Sequence, residues 1–460
     1  MQYLALVVFL CLAIWLLRRD SYIRSGISNV LWVPTFWVAI GLSRPLSMWL
    51  GFGGGTDSLE GSPLDRLLHF FVIGYSLMIL NRRRINWSEI LSGNWPVFLY
   101  YGFFLVSVFW ADPPMVSFKR WFKDLGIVFI ALVILTEQKP MEAIRAVFVR
   151  CAYVLLPLSL IFIRWFPEWG RFYSRHGGEG EITGVTTQKN SLGITAMICG
   201  LMFLWDWLEK QRTAARSRKE SRVQRNILLT AMGVSIYLIH VSQSKTSLIC
   251  FLVGGGLIAA SYVKAWAGSM RWSGIYVLLF AGSFYALDSA FGLTENVLGL
   301  LGRDATFTGR TDVWRVLLDL DTPSLLGTGF CNFWSNQYYL SKLPNWVAHS
   351  AHNGYLEVYL DGGWVGVTVL AIMLVAIWIK IGSHVKTGEQ YAIVRLAVYL
   401  AMVVACFSES HFGRLGPLWF LFILTALEPR SVARALPFRS APASPPGYPF
   451  RTGVPTASYR

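Results

Sequence analysis

Charge is scarce in this chain: only 15% of its 460 residues are Asp, Glu, Lys or Arg, while 54% are hydrophobic and 15% aromatic. That balance excludes an ordinary soluble domain, where about a quarter of residues are charged. Acidic residues are scarcer still, 26 against 41 Lys and Arg, which leaves a net charge of +15. The basic residues sit in short clusters beside apolar runs, not in a stripe along a soluble fold, and this excludes a nucleic-acid-binding surface. No HExxH, paired-cysteine or carboxylate-rich cluster occurs, so neither a metal nor a cofactor is implied. The glycine clusters GFGGG from Gly51 and GTGF from Gly327 lack a P-loop lysine and a strand-to-helix setting, and are assigned to turns. Of the six cysteines, Cys11, Cys151, Cys199, Cys250 and Cys406 fall in apolar runs and Cys331 stands alone in a loop, which excludes a disulfide framework. No internal repeat is visible, and midplane charge is sparse; both weigh against a transporter built from related halves.

What the chain has in abundance is apolar sequence in runs of roughly 16 to 22 residues, the length that crosses a bilayer as helix. About thirteen such runs lie between residues 3 and 428, which predicts an all-α polytopic membrane protein of about 12–13 transmembrane helices. Every second connection carries basic residues, among them Arg18, Arg19 and Arg24, Arg82 to Arg84, the run from Arg212, and Lys380 with Lys386. These connections are assigned to the cytoplasm and the intervening ones to the outside. The first run, Met1 to Leu17, is followed by its charges and shows no cleavage site, so it reads as a retained span. Residues 429–460, rich in Pro, Ser and Gly, read as a disordered cytoplasmic tail. The outward stretch 289–352 is far longer than a typical connection. With Trp314, Phe330, Phe333, Trp334, Tyr338, Tyr339 and Trp346, it is predicted to form short helices at the membrane surface.

Cations are not expected in outward connections, so three of them draw a chemical reading. Lys189, in QKNSLG, precedes a helix whose cap is read as Asn190 or Thr187, and Lys245, in SQSKTSL, sits similarly before the next outward-starting span. Arg310, in TGRTDVW, could grip a phosphate with its planar fork. Each taken alone reads equally well as a lipid-headgroup anchor or a surface ion pair; three on one face suit a diphosphate. His352 stands at the start of a span, where a helix N-terminus favours the neutral imidazole and leaves it able to accept a proton. A capping or interfacial histidine is the alternative, and His349 shares the ambiguity. Glu357 and Asp361, four apart, lie on one helical face and must be paired or face a wet cavity, unless the helix begins later and both lie in the outward interface; Gly354, Gly362, Gly363 and Gly366 read as allowing close helix packing.

These residues resemble the O-antigen ligase and polysaccharide polymerase superfamily of bacterial membrane glycosyltransferases. The motif of His, then Asn, Ser or Gln, then nine residues, then GxxG is reproduced by His352, Asn353, Gly363 and Gly366. The GR-then-aromatic element is present as Gly309, Arg310 and Trp314, followed by LLGTGF, and a Ser-x-Ser-cation element as Ser242, Ser244 and Lys245. Lysine in place of the ligases' arginine, together with QKNSLG, is more similar to the exopolysaccharide polymerase branch. The resemblance divides the chain into N-terminal transmembrane helices (1–183), a ligase-like membrane domain (184–428) and the tail.

The resemblance implies a GT-C-like fold in the bacterial inner membrane, with its working face periplasmic. It implies an undecaprenyl-diphosphate-linked glycan donor, a glycan or lipid A core acceptor, and metal-independent, inverting transfer. Lys245 and Arg310 would hold the diphosphate and His352 would act at the acceptor hydroxyl; Lys189, Asn353 and Glu357 are added as substrate-binding residues. Membrane lipids and a chain-length regulator are the remaining expected partners, and nucleic acid is not. Polymerase is placed ahead of ligase; a flippase or exporter and a non-catalytic scaffold are the readings from other classes.

Overall fold

The computed structural model describes residues 1–52, 61–173, 180–213, 218–263, 310–347 and 350–436, and they build an all-α polytopic membrane protein. The chain opens with α1 (Gln2–Ile23), α2 (Trp32–Gly41), α3 (Leu46–Trp49), α4 (Pro63–Arg82), α5 (Trp87–Gly93) and α6 (Trp95–Ser107). Next come α7 (Pro114–Leu135), α8 (Pro140–Trp165), the single turn α9 (Pro167–Gly170) and a small antiparallel hairpin of β1 (Arg171–Phe172) with β2 (Glu181–Ile182). Three long helices follow: α10 (Lys189–Thr213), α11 (Arg218–Val241) and α12 (Lys245–Ser261). After α13 (Arg310–Leu318) and α14 (Gln337–Leu340), the described chain ends with α15 (Gly354–Lys386), α16 (Gln390–Ala405), α17 (Pro417–Ala426) and α18 (Pro429–Ala435). Several features of the sequence lie outside the described residues: the run 273–290, loop residues 289–309 with Gly309, His349, and the tail from 437.

Every other apolar run falls on helix, but not every run is a full span. Among the described residues, four helices, α4, α8, α10 and α15, are long and apolar enough to cross a bilayer, and Trp87–Gly93 with Trp95–Trp110 adds a fifth if its 91° bend lies within one span. Asn29–Gly41, α12, α16 and α17 are apolar but only 10–17 residues long. The shorter or more polar helices have local physical causes. The run at 29–50 is interrupted by the turn at Leu42–Pro45, and α7 carries Lys119, Arg120, Lys123 and Asp124 in its first half. α8 and α10 form the interior, with 78% and 72% of their spanning windows buried against 33% for α4 and α15. A helix apolar on all sides belongs in such a place. Their charged ends are held by pairing: Arg24 bonds Asp20 and Asp206 (2.8 Å each), Arg150 bonds Asp20 (2.8 Å) and Lys210 bonds Asp206 (2.8 Å), tying α1, α8 and α10 together.

The GxxG segment is not only a packing surface; it is where α15 breaks. Gly363 has φ 58° and ψ −161°, and a Cβ there would lie 2.3 Å from the carbonyl carbon of Leu325. A break orphans backbone groups on both sides, and inside a bundle each must find a partner. The LLGTGF turn supplies them: Thr328 and Gly329 N–H donate to the Leu360 and Asp361 carbonyls (3.0 and 2.8 Å), and Trp364 and Val365 N–H donate to Ser324 and Leu325 (2.8 and 3.1 Å). The turn is anchored in its turn by the N-terminal helices. Ser117 Oγ donates to the Phe330 carbonyl (2.7 Å), and Arg120 donates to the Cys331 carbonyl (2.6 Å) and Ser335 Oγ (2.5 Å). The aromatic stretch from Arg310 to Val347 then folds over this point around Leu317, Phe333, Trp334, Tyr339 and Leu360 as a small separate core with the expected short helices. At the other end of the sequence, residues 429–435, assigned to the disordered tail, form α18 instead, which packs on α5. Val432 at its centre is buried, enough apolar contact to order about two further turns of helix.

Candidate functional site

Asn353 caps α15, its side chain accepting from Tyr355 and Leu356 N–H (3.0 and 3.2 Å). His352 immediately before it has a positive φ of 47°, with its N–H bonded to Ser350 Oγ (3.1 Å). This backbone turns the imidazole away from the helix, leaving 38% of it exposed and Nδ1 3.6 Å from Glu409 Oε2. The other carboxylate oxygen of Glu409 accepts from Asn190 Nδ2 (2.7 Å) and from the Arg310 guanidinium (3.1 Å). Arg310 donates a second hydrogen bond to the Ser408 carbonyl (2.5 Å), and Ser408 Oγ pairs with Thr246 (2.8 Å) beside Lys245. One connector, residues 406–416 between α16 and α17, thus draws together the starts of α10, α12, α13 and α15.

Each element reaches this point for a local reason. Ser244 caps α12, and Gly193 lets α10 approach it: a Cβ at Gly193 would lie 2.6 Å from Ser244 Cβ and 2.8 Å from Ser247 Oγ. α13 is hung over the site by Trp314, whose indole N–H donates to the Ala351 carbonyl (2.8 Å). α15 is fixed from below by Glu357 and Asp361. Glu357 accepts from Trp334 Nε1 (2.8 Å), Ala351 N–H (2.8 Å), Ser410 Oγ (3.1 Å) and Arg414 (2.6 Å). Asp361 pairs with the same Arg414 nitrogen (3.0 Å) and accepts from Asn332 N–H (3.2 Å).

The sequence-predicted residues therefore separate into two groups. His352 and Arg310 meet on Glu409, and Lys245, exposed at the first turn of α12, stands one residue from the contact with Ser408. Asn353 and Glu357, assigned to substrate, are committed to the protein itself, as cap and as anchor. Lys189 pairs with Glu181 of the hairpin (2.5 Å), and both remain about 40% exposed. Asn190, expected as a cap of α10, lies inside the helix and turns its side chain to Glu409. Glu409 and Asn190 are the members that sequence reasoning missed as site residues. Among the described residues, no group of three or more His, Cys, Asp or Glu could hold a metal ion.

The electrostatics favour a fixed negative charge behind the imidazole. Burial alone would raise the Glu409 carboxyl, but its contact with His352 and the nearby Arg310 cation outweigh that and hold it below the ordinary carboxylate range. His411, two residues on, is pushed down to about 4 by burial, only partly offset by Glu409. Both shifts act in the same direction on stability. A neutral His411 favours the folded state above its unfolded value near 6.5, and this contribution is lost as pH falls from 6.5 to about 4. The Glu409 contribution is lost below 4.5. The thermal midpoint of the purified protein should therefore fall on acidification through this window. His411→Gln should flatten the upper part of the curve; an unchanged slope between pH 6.5 and 4.5 would contradict the assignment.

An imidazole backed by a carboxylate, flanked by two cations and set at a helix start, can accept a proton while a departing anion is neutralised beside it. Residues 230–371 match the family model described as O-antigen ligase. The match takes in Lys245, Arg310, His352 and the break of α15, and stops short of Glu409. The chain is also 23% identical over 321 residues to the exopolysaccharide production protein ExoQ of Rhizobium meliloti (strain 1021), covering 67% of this chain and 69% of that protein.

Proposed function

Because the chain is akin to the O-antigen ligase and polysaccharide polymerase superfamily, we propose that it joins undecaprenyl-diphosphate-linked oligosaccharide units at the periplasmic face of the bacterial inner membrane. The observation that carries this reading is the convergence of His352 and Arg310 on Glu409, with Lys245 alongside. The acceptor hydroxyl attacks the anomeric carbon of the donor, and the bond from that carbon to the diphosphate oxygen breaks with its electron pair leaving on the lipid diphosphate. The hydroxyl proton goes to His352 Nε2, while Nδ1 faces Glu409, which stabilises the imidazolium. Arg310 and Lys245 neutralise the departing diphosphate, the work that a metal ion does in many glycosyl transfers. A single displacement of this kind inverts the anomeric centre.

The name of the Rhizobium relative, an exopolysaccharide production protein, supports a polymerase. The description of the matching family supports the second reading, a ligase that moves the finished glycan to a lipid A core. A chain-length regulator would be a partner of the polymerase alone. A deletion strain complemented with wild type or Arg310→Ala separates them. Loss of long polysaccharide with single lipid-linked units persisting is the polymerase result. Accumulation of full-length, unattached lipid-linked chains is the ligase result. Normal polysaccharide from a well-inserted Arg310→Ala protein would remove the enzymatic reading and leave transport or scaffolding.

A further inference from the structure

Across the 406–416 connector from the site just described lies a second and much larger cavity. Glu409 and His411 line the small pocket on one side of the connector, Gly413 to Gly416 line the cleft on the other, and the two share no lining residue. The small pocket holds about 10 Å³, room for a single water, whereas the cleft holds about 360 Å³, within the ~300–1,000 Å³ usual for small-molecule sites. Trp37, Val38, Leu68 and Phe420 give the cleft an apolar wall, in which Trp37 stands edge-on to His69 and Phe420 (ring centroids 6.1 and 5.0 Å apart).

Polar atoms of both hydrogen-bonding senses are set in that wall, and the protein's own bonding leaves three of them open. Asp124, 1% exposed, accepts at Oδ2 from Tyr101 OH (2.9 Å) and Trp419 Nε1 (3.1 Å), while its Oδ1 has no partner among the described residues. Arg414 gives its Nη2 to Glu357 and Asp361 (2.6 and 3.0 Å), and its Nη1, also buried, has none. His69 donates Nδ1–H to the Asp65 carbonyl (2.7 Å), so the neutral ring keeps Nε2 as an acceptor. The Asp65 carboxylate, by contrast, is filled by Ser47 and Ser62. A buried donor or acceptor without a partner is costly, and a bound molecule that supplies the partner removes the cost. A sugar ring fits these demands: its C–H faces lie against apolar side chains, and its hydroxyls both donate, as Asp124 Oδ1 and His69 Nε2 require, and accept, as Arg414 Nη1 requires. A lipid tail would leave all three atoms without a partner.

We infer that this cleft is an acceptor-glycan subsite, which holds a sugar of the acceptor chain while the donor diphosphate lies at Arg310 and Lys245. The inference rests on the glycan-transfer reading. The acceptor, for which the pocket at Glu409 has no room, is thereby held on the far side of the same connector that carries Glu409.

The free repeat-unit oligosaccharide, cleaved from the producing strain's own polysaccharide and added to the full-length protein in nanodiscs, tests it, with binding read by saturation-transfer NMR. Two variants close the site. Gly41 ends α2 in the wall of the cleft, and a Cβ there meets nothing within 4 Å, so Gly41→Trp fills the cleft without a clash at the backbone. His69→Phe keeps a ring and removes the acceptor. Wild type should bind the oligosaccharide, Gly41→Trp should lose it, and His69→Phe should weaken binding about fivefold, as loss of one neutral hydrogen bond does. In proteoliposomes both variants should raise KM for the acceptor and leave KM for the donor lipid unchanged. His352→Ala should still bind the oligosaccharide while failing to transfer. Absence of binding to wild type, the result for a cleft that holds water only, would overturn the inference, as would wild-type acceptor KM in folded Gly41→Trp and His69→Phe proteins. Binding that both variants weaken, in a wild-type protein that transfers no glycan, keeps the cleft assignment and removes the glycan-transfer reading instead, so the two failures are distinguishable.

Discussion

His352→Ala should lower the rate of glycan transfer by about 10² to 10⁴, the range that a positioned general base contributes. The expectation rests on how narrowly His352 is specified. Its positive φ, the Ser350 and Asn353 side chains that fix the turn, and the break at Gly363 in α15 all aim one imidazole at one carboxylate. Glu409→Gln should fall between the variant and wild type, because the amide keeps its size and its contact with Asn190 but loses the charge that stabilises the imidazolium. Glu409 also anchors Arg310, so Glu409→Gln should raise the donor KM as well as lower kcat, whereas His352→Ala should act on kcat alone. Initial rates of chain extension in proteoliposomes, with insertion checked by protease protection, measure both. Transfer by folded His352→Ala protein within a few-fold of wild type would sink the assignment of the base.

How much of this could be read from the chain differs by residue. His352, Asn353 and the GxxG spacing are contiguous, so the start of α15 was legible, as was the need to pair Glu357 and Asp361 on one helical face. What the spacing could not give was the partner. Arg414 lies beyond a whole further helix, and only the return of the chain through α16 brings it under α15. Glu409 was illegible for the same reason. It sits in SESHFGR with no motif, and its meaning comes from residues 190, 310 and 352, which folding alone makes neighbours. The available signal was an acidic residue in a short polar connector on the same face as three unexplained outward cations. The glycines of the GxxG segment were legible as close packing but not as a helix break, because the orphaned carbonyls are taken up by LLGTGF, some thirty-five residues earlier, and no local pattern announces that pairing.

Arg414→Met should be the most damaging change outside the reacting groups. The Arg414 side chain is 16% exposed, and the carboxylates it joins, Glu357 and Asp361, are 2% and 6% exposed. Removing the cation leaves two buried negative charges on one face of α15 without their counterion, and breaking a buried pair of this kind costs about 3–5 kcal/mol. The loss falls on the segment that aims His352, since Glu357 also holds the Ala351 N–H and Ser410. Arg414→Met should therefore reach the membrane but unfold readily, seen as a lower thermal midpoint and a smaller monodisperse fraction in detergent. Loss of a cation alone is separated from stranded carboxylates by a second variant, Arg414→Met with Glu357→Gln and Asp361→Asn, in which no unpaired charge remains. That combination should regain most of the lost stability, because neutral isosteres spare the desolvation of two carboxylates and keep most of their hydrogen bonds. Glycan transfer should stay low in it, since the Ala351 and Ser410 contacts would then rest on a neutral amide. Full stability in Arg414→Met alone would mean that the charges beneath α15 are balanced by something other than Arg414.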